Sequence, residues 1–92
     1  MSEYIEIETD LSDDGTRMYF FTNVTLTEQK VEAYDSRAAM EEGSPVAQTL
    51  SVIDGIAYLH IEERELVITR TPEAEWHAIV DDVSAALKDF FL

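Results

Sequence analysis

Hydrophobic and polar positions alternate over residues 4–8, Tyr-Ile-Glu-Ile-Glu, the period of a half-buried strand with Ile5 and Ile7 turned inward. The cluster Asp10-Leu11-Ser12-Asp13-Asp14-Gly15 breaks that pattern, and the aromatic-rich stretch 17–22 follows, which predicts a β-hairpin. Residues 23–34 mix β-branched Val24, Thr25, Thr27 and Val31 with Glu28, Gln29 and Lys30, so a loop with a short strand near 31–34 is expected. Asp35 or Ser36 can cap a helical stretch over 37–42, and the helix restarts at Ser44-Pro45, an N-cap followed by proline at N1. Val46, Leu50 and Ile53 recur at helical spacing, and Gly55 stands where a left-handed residue would end the helix. Residues 56–62 and 65–70 read as a second hairpin, with Leu59 and Ile61 facing Leu66 and Ile68 across a turn at 62–65. Thr71-Pro72-Glu73 repeats the cap, proline and acid of a helix start. Trp76, Ile79, Val80, Val83, Leu87 and Phe90 then trace an apolar stripe that would leave Phe91 and Leu92 at the surface.

Half-polar strands and amphipathic helices in this order predict an α+β two-layer sandwich: a mainly antiparallel four- to five-stranded sheet with two helices on one face. The uncovered face would carry Tyr4, Glu6, Glu8, Tyr58, His60 and Val67, with Tyr19 or Phe21 according to the phase of the second strand. That surface is aromatic and acidic, and Tyr4, Tyr58, His60 and Val67 are its candidate partner-binding residues.

Length bounds the architecture. With 92 residues the chain is expected to form one domain over 1–92, burying roughly 60–65% of its unfolded surface. A hydrophobic share of 46% separates it from disordered, highly charged chains. Twenty Asp and Glu against six Lys and Arg give a net charge of -14, which repels phosphate backbones and anionic membranes, so no nucleic-acid or membrane partner is expected. Such acidity would suit a salt-rich cytoplasm, where screening relieves self-repulsion. The acidic start Met1-Ser2-Glu3-Tyr4 and the shortness of every apolar run point to a cytoplasmic protein. Nothing in the sequence sets the oligomeric state, and a monomer is the default.

Catalytic patterns are absent. There is no cysteine, hence no thiolate nucleophile and no Cys-ligated zinc or iron–sulfur site. Three scattered glycines, Gly15, Gly43 and Gly55, permit neither a dinucleotide-binding nor a P-loop motif. Ser44 lacks the flanking glycines of a nucleophile elbow and reads as a helix cap. Asp10, Ser12, Asp14 and Gly15 match the first positions of a calcium loop, but Phe21 stands where the bidentate glutamate belongs, and an Asp-Gly hairpin turn accounts for them better. Glu73, His77 and Asp81, spaced i, i+4, i+8, share a helix flank, a spacing that solvated helix faces commonly show. No enzyme is expected, and no cofactor or metal. The alternative is a small metal- or ligand-binding domain using surface carboxylates and histidine.

The run Gly43-Ser44-Pro45-Val46-Ala47-Gln48-Thr49-Leu50, followed by Val52-Ile53-Asp54-Gly55-Ile56, resembles the G-S-P-L-A-Q-x-L helix and glycine turn of the N-terminal domain of NifU-like (Nfu) iron–sulfur scaffold proteins. The similarity continues through Tyr58-Leu59-His60-Ile61, Leu66-Val67-Ile68-Thr69-Arg70 and Glu75-Trp76, about the last fifty residues. Where that family carries T-P-N-P-N, this chain has Thr9-Asp10-Leu11-Ser12-Asp13-Asp14, and it lacks the C-x-x-C of the family's second domain. The resemblance implies a stand-alone N-terminal-type domain: a non-enzymatic docking module for iron–sulfur assembly or client proteins, without cluster ligands of its own.

Overall fold

In a computed structural model, which describes residues 5–91, β1 (Ile7–Leu11), β2 (Arg17–Thr22), β3 (Glu32–Tyr34), β4 (Ile56–Glu62) and β5 (Glu65–Arg70) form one sheet. The strand order is β1-β2-β5-β4-β3, and every neighbouring pair is antiparallel. Three helices, α1 (Arg37–Glu41), α2 (Pro45–Leu50) and α3 (Trp76–Phe91), occur where two were expected. The chain turns at Glu42 and Gly43 and a new cap follows at Ser44, so the helical stretch is split into two short pieces. Among the described residues no helix is long and apolar enough to cross a membrane.

Alternation along the strands divides the sheet into a covered and an open face. Met18, Phe20, Leu59, Ile61, Leu66 and Ile68 are buried and pack with Val46, Leu50, Ile79, Val83 and Leu87 of the helices into one core. Leu59 pairs with Ile68 and Ile61 with Leu66, the predicted facing. The first strand runs later than its alternating pattern suggested. Ile5 and Ile7 do point inward, yet pairing with β2 carries the strand through Thr9 and Asp10 to Leu11, because the ladder uses backbone groups whatever the side chain.

Helix ends depart from the predicted punctuation in three places. Helix α2 closes at Leu50, and Gly55, at φ +99°, instead turns the chain from residues 51–54 into β4. Helix α3 starts at Trp76 because the Arg70 guanidinium donates to the carbonyls of Thr71, Pro72 and Ala74, holding residues 71–74 as a turn. At the other end Ile79, Val83, Leu87 and Phe91 follow a strict four-residue step, so Phe91 packs on the core. Phe90 is 42% exposed, the reverse of the expected order.

The turn 12–16 is built around Asp14. Its Oδ1 accepts from the Ser12 hydroxyl at 2.8 Å, the Thr16 N–H at 3.1 Å and the Thr16 hydroxyl at 2.8 Å, while Gly15 takes φ +75°. This is a hairpin turn of the Asx type, closed by hydrogen bonds to its own backbone. The Thr16 backbone and side-chain bonds, then the Ser12 bond and the nearby Arg17 charge, hold the Asp14 carboxyl down at about 2. A depressed folded-state value means that the turn's stabilisation is intact at neutral pH and is lost as the pH falls from about 3.8 toward about 2. Carboxyl carbon NMR is expected to give a midpoint for Asp14 near 2; a midpoint near 3.8 would show that the turn is open in solution.

Candidate functional site

The open sheet face carries a row of directly opposed residues, Asp10 on β1, Tyr19 on β2, Val67 on β5, His60 on β4 and Ala33 on β3. Opposed side chains on one sheet face lie close enough to touch. Tyr58 stands opposite Thr69, beside Arg17, on one flank of this row. On the other flank run Glu8, Phe21, Glu65 and Glu62. Tyr19, Val67 and His60 are half-buried, whereas Tyr58 is 40% and Phe21 36% exposed, large values for aromatic side chains. The result is an aromatic and apolar centre with carboxylates along one rim.

Tyr58, His60 and Val67 therefore share one continuous surface. Tyr4, expected beside them, lies outside the described residues. Tyr19 and Phe21 both belong to the face, since residues two apart on a strand point the same way and the choice between them was not a real one. A bulge in β4 decides the position of Ile56. Ile56 pairs with Arg70 and Tyr58 with Thr69, leaving Ala57 as the extra residue. A regular strand would put Ile56 and Tyr58 on one face; the bulge turns Ile56 to the core and leaves Tyr58 outside.

A second polar cluster, which the sequence did not single out, sits on the covered side of the edge strand β3. Glu32 is only 5% exposed, and its carboxylate accepts hydrogen bonds from the hydroxyls of Thr27 and Tyr34. The Tyr34 oxygen in turn accepts from the Ser44 N–H at 3.2 Å, and the Thr27 oxygen from the Gln29 N–H at 3.0 Å. Burial alone would push the Glu32 carboxyl up, but the nearby Ser44, Thr27 and Tyr34 side chains outweigh it and bring it below its ordinary value. Glu32 thus ties the loop before β3 to the start of α2. Ser44 also caps α2, accepting from the Ala47 N–H at 3.3 Å as its sequence position predicts. A side chain at Gly43 would meet the Tyr34 ring at 2.5 Å, which accounts for the glycine of the Gly43-Ser44-Pro45 run.

The metal alternatives find no assembly. Among the described residues no three His, Asp or Glu side chains gather as a ligand set. Glu73 lies in the turn before α3 rather than on its flank, and among the described residues His77 pairs with Glu75, at 3.5 Å, with both side chains mostly exposed. Asp10 joins the sheet ladder while Asp14 turns its oxygen onto the hairpin's own donors.

A family model described as the N terminal of the scaffold protein Nfu/NifU matches residues 7–92, nearly the whole chain. The chain belongs to this family. The Nfu N-terminal fold also appears in the solution NMR structure of a NifU-like protein from Saccharomyces cerevisiae, with a TM-score of 0.76 at 17% identity over 94% of this chain and 77% of that one. The crystal structure of protein SAV1430 from Staphylococcus aureus gives a TM-score of 0.72 at 11% identity, covering 89% of this chain and 98% of that one. At such identities the two structures show the shared fold alone. No curated protein matches the sequence. Membership in the Nfu N-terminal family implies a role in iron–sulfur cluster scaffolding or delivery.

Proposed function

We propose that this Nfu N-terminal domain is a non-enzymatic protein-binding module of iron–sulfur cluster assembly or delivery, which docks assembly or client proteins on its open sheet face around Tyr58, His60 and Val67. The observation that carries the reading is the one-sided layering: helices bury one face of the sheet, and the other presents the row Tyr19, Val67 and His60 with Tyr58 and Phe21 exposed beside it. Surfaces with an aromatic centre and a charged rim are the anatomy of protein interfaces, and tyrosines supply much of their energy. The acidic rim and the net charge of -14 favour a partner with a basic border, whose association charge would steer and accelerate. These 92 residues contain no cysteine, so a cluster whose transfer they assist would bind to thiolates of the partner proteins.

The test is an NMR titration of the labelled domain with the host's assembly proteins, apo and cluster-loaded, at moderate ionic strength. Localised shifts at Tyr58, His60, Val67 and Tyr19 are expected. In the double variant Tyr58→Ala/His60→Ala, affinity should fall by about tenfold or more, as for an interface anchor, with the melting curve little changed. Unaltered affinity in the folded double variant, or no shift with any assembly protein, would remove this face as the docking surface.

A further inference from the structure

Away from the open face, on the helix side of β3, an open groove of about 510 Å³ runs between the loop before β3, the start of α2 and the end of α3. Its apolar lining comes from Leu26, Pro45, Val46, Phe90 and Phe91, and threonines, Gln29 and Ser44 make up the polar remainder beside the acids. The last two rings meet edge to face, with centroids 4.8 Å apart, and Phe90 remains exposed at the rim. Glu32 and Glu28 are the charged residues lining the groove, and both are acids.

The position of Glu32 is what makes the groove informative. Buried carboxylates are commonly matched by a cation as well as by neutral donors. Here the hydroxyls of Thr27 and Tyr34 donate to it, and among the described residues no Lys, Arg or His forms an ion pair with Glu32. A carboxylate offers about four acceptor positions, so these hydroxyls leave room for a further donor. A divalent metal would need several further oxygen or nitrogen ligands, and no three acidic or histidine side chains gather among the described residues. A guanidinium needs only one such acceptor position, and being weakly hydrated it suits partly buried pairs. The groove's volume lies within the range of small-ligand pockets.

We propose that this groove is a second docking site, taking a segment of a partner protein in which an apolar side chain stands next to an arginine: the apolar group lies between Pro45, Val46 and Phe90, and the guanidinium reaches Glu32 with Glu28 at the rim. The site is independent of the open sheet face, since Glu32 lies on the covered side of the sheet, and it holds whether or not that face docks a partner.

Two short probes test it: N-acetyl-leucyl-arginine amide, and the same compound with the uncharged isostere citrulline in place of arginine. In heteronuclear NMR titrations the arginine probe is expected to give saturable shifts at Gln29, Ser44, Val46 and Phe90. The citrulline probe should bind about tenfold more weakly, the difference between a charge-assisted and a neutral hydrogen bond. Glu32→Gln should bring the two probes to the same affinity. Should that variant not fold, Glu28→Gln at the exposed rim is expected to reduce the preference for arginine without altering the fold. Tyr58→Ala/His60→Ala should leave groove binding unchanged. Equal affinity of the two probes for the unsubstituted domain, shifts centred elsewhere, or no saturable shift at millimolar probe would overturn the proposal.

Discussion

Replacing Phe20 with alanine is expected to remove about 3–5 kcal/mol of stability, the usual cost of emptying an aromatic site in a core that cannot collapse fully. Phe20 is wholly inaccessible to solvent, sits opposite Leu66 near the centre of the sheet, and belongs to the cluster that includes Ile79, Val83 and Leu87 of α3. A domain of this length has roughly 5–14 kcal/mol in total, so the variant should lose between about a fifth and nearly all of its stability at 25 °C. Its melting temperature should drop by about 15–35 °C, read by calorimetry or by circular dichroism. Phe21→Ala is the internal control, because the next residue points to the open face; its cost should stay under about 1 kcal/mol. A Phe20→Ala variant that melts within a few degrees of the parent would mean that the sheet and α3 do not enclose this ring as described.

Gly55→Ala is expected to cost about 2–4 kcal/mol, from two separable sources. At φ +99° the backbone lies where a Cβ is strained in any surroundings, and that Cβ would also stand 2.8 Å from the Ala74 Cβ and 3.2 Å from Ile79 Cδ1. The Ala74 carbon is attached directly to the backbone and cannot rotate aside. The double variant Gly55→Ala/Ala74→Gly keeps the backbone strain and removes that contact, so chemical denaturation should show about half of the lost stability recovered. Recovery of none would place the whole cost in the backbone. Full recovery would place it in the contact between the two residues.

The parts of this fold legible in the sequence are those set by neighbours along the chain. The β4–β5 hairpin follows from strict alternation on both sides of a short turn, and the Ser44 cap from a serine directly before proline. Tyr58, His60 and Val67 fall on one face for the same reason: a two-residue period needs no knowledge of the rest of the molecule. What was not legible depends on groups that meet only after folding. Thr71-Pro72-Glu73 has the composition of a helix start, yet Arg70 reaches forward to three carbonyls and keeps this segment a turn. The end of β1 is set by where Leu11 meets Met18, and the inward turn of Ile56 by a bulge that alternation cannot show. Glu32 stayed hidden because it lies in a stretch without clear period, where neither Thr27 nor Tyr34 marks itself as a hydrogen-bond partner. Its strand is three residues long; had that strand's phase been clear, an acid on the inward side would have been the signal.

The Trp76 indole N–H donates to the Gly15 carbonyl at 2.7 Å, and the Arg70 Nε donates to the same oxygen at 3.1 Å. The carbonyl belongs to the first hairpin, whereas both of its donors come from the last third of the chain. During synthesis the hairpin leaves the ribosome long before residues 70 and 76 exist, and β2 must likewise wait for β5 to fill the middle of the sheet. The early strands are therefore held open until the C-terminal segment arrives, and folding is governed by the closure of long loops rather than by local helix formation. Because Trp76 is the chain's single tryptophan, its fluorescence and its indole proton should report this final closing step, remaining in their unfolded condition while the first hairpin waits for its partners.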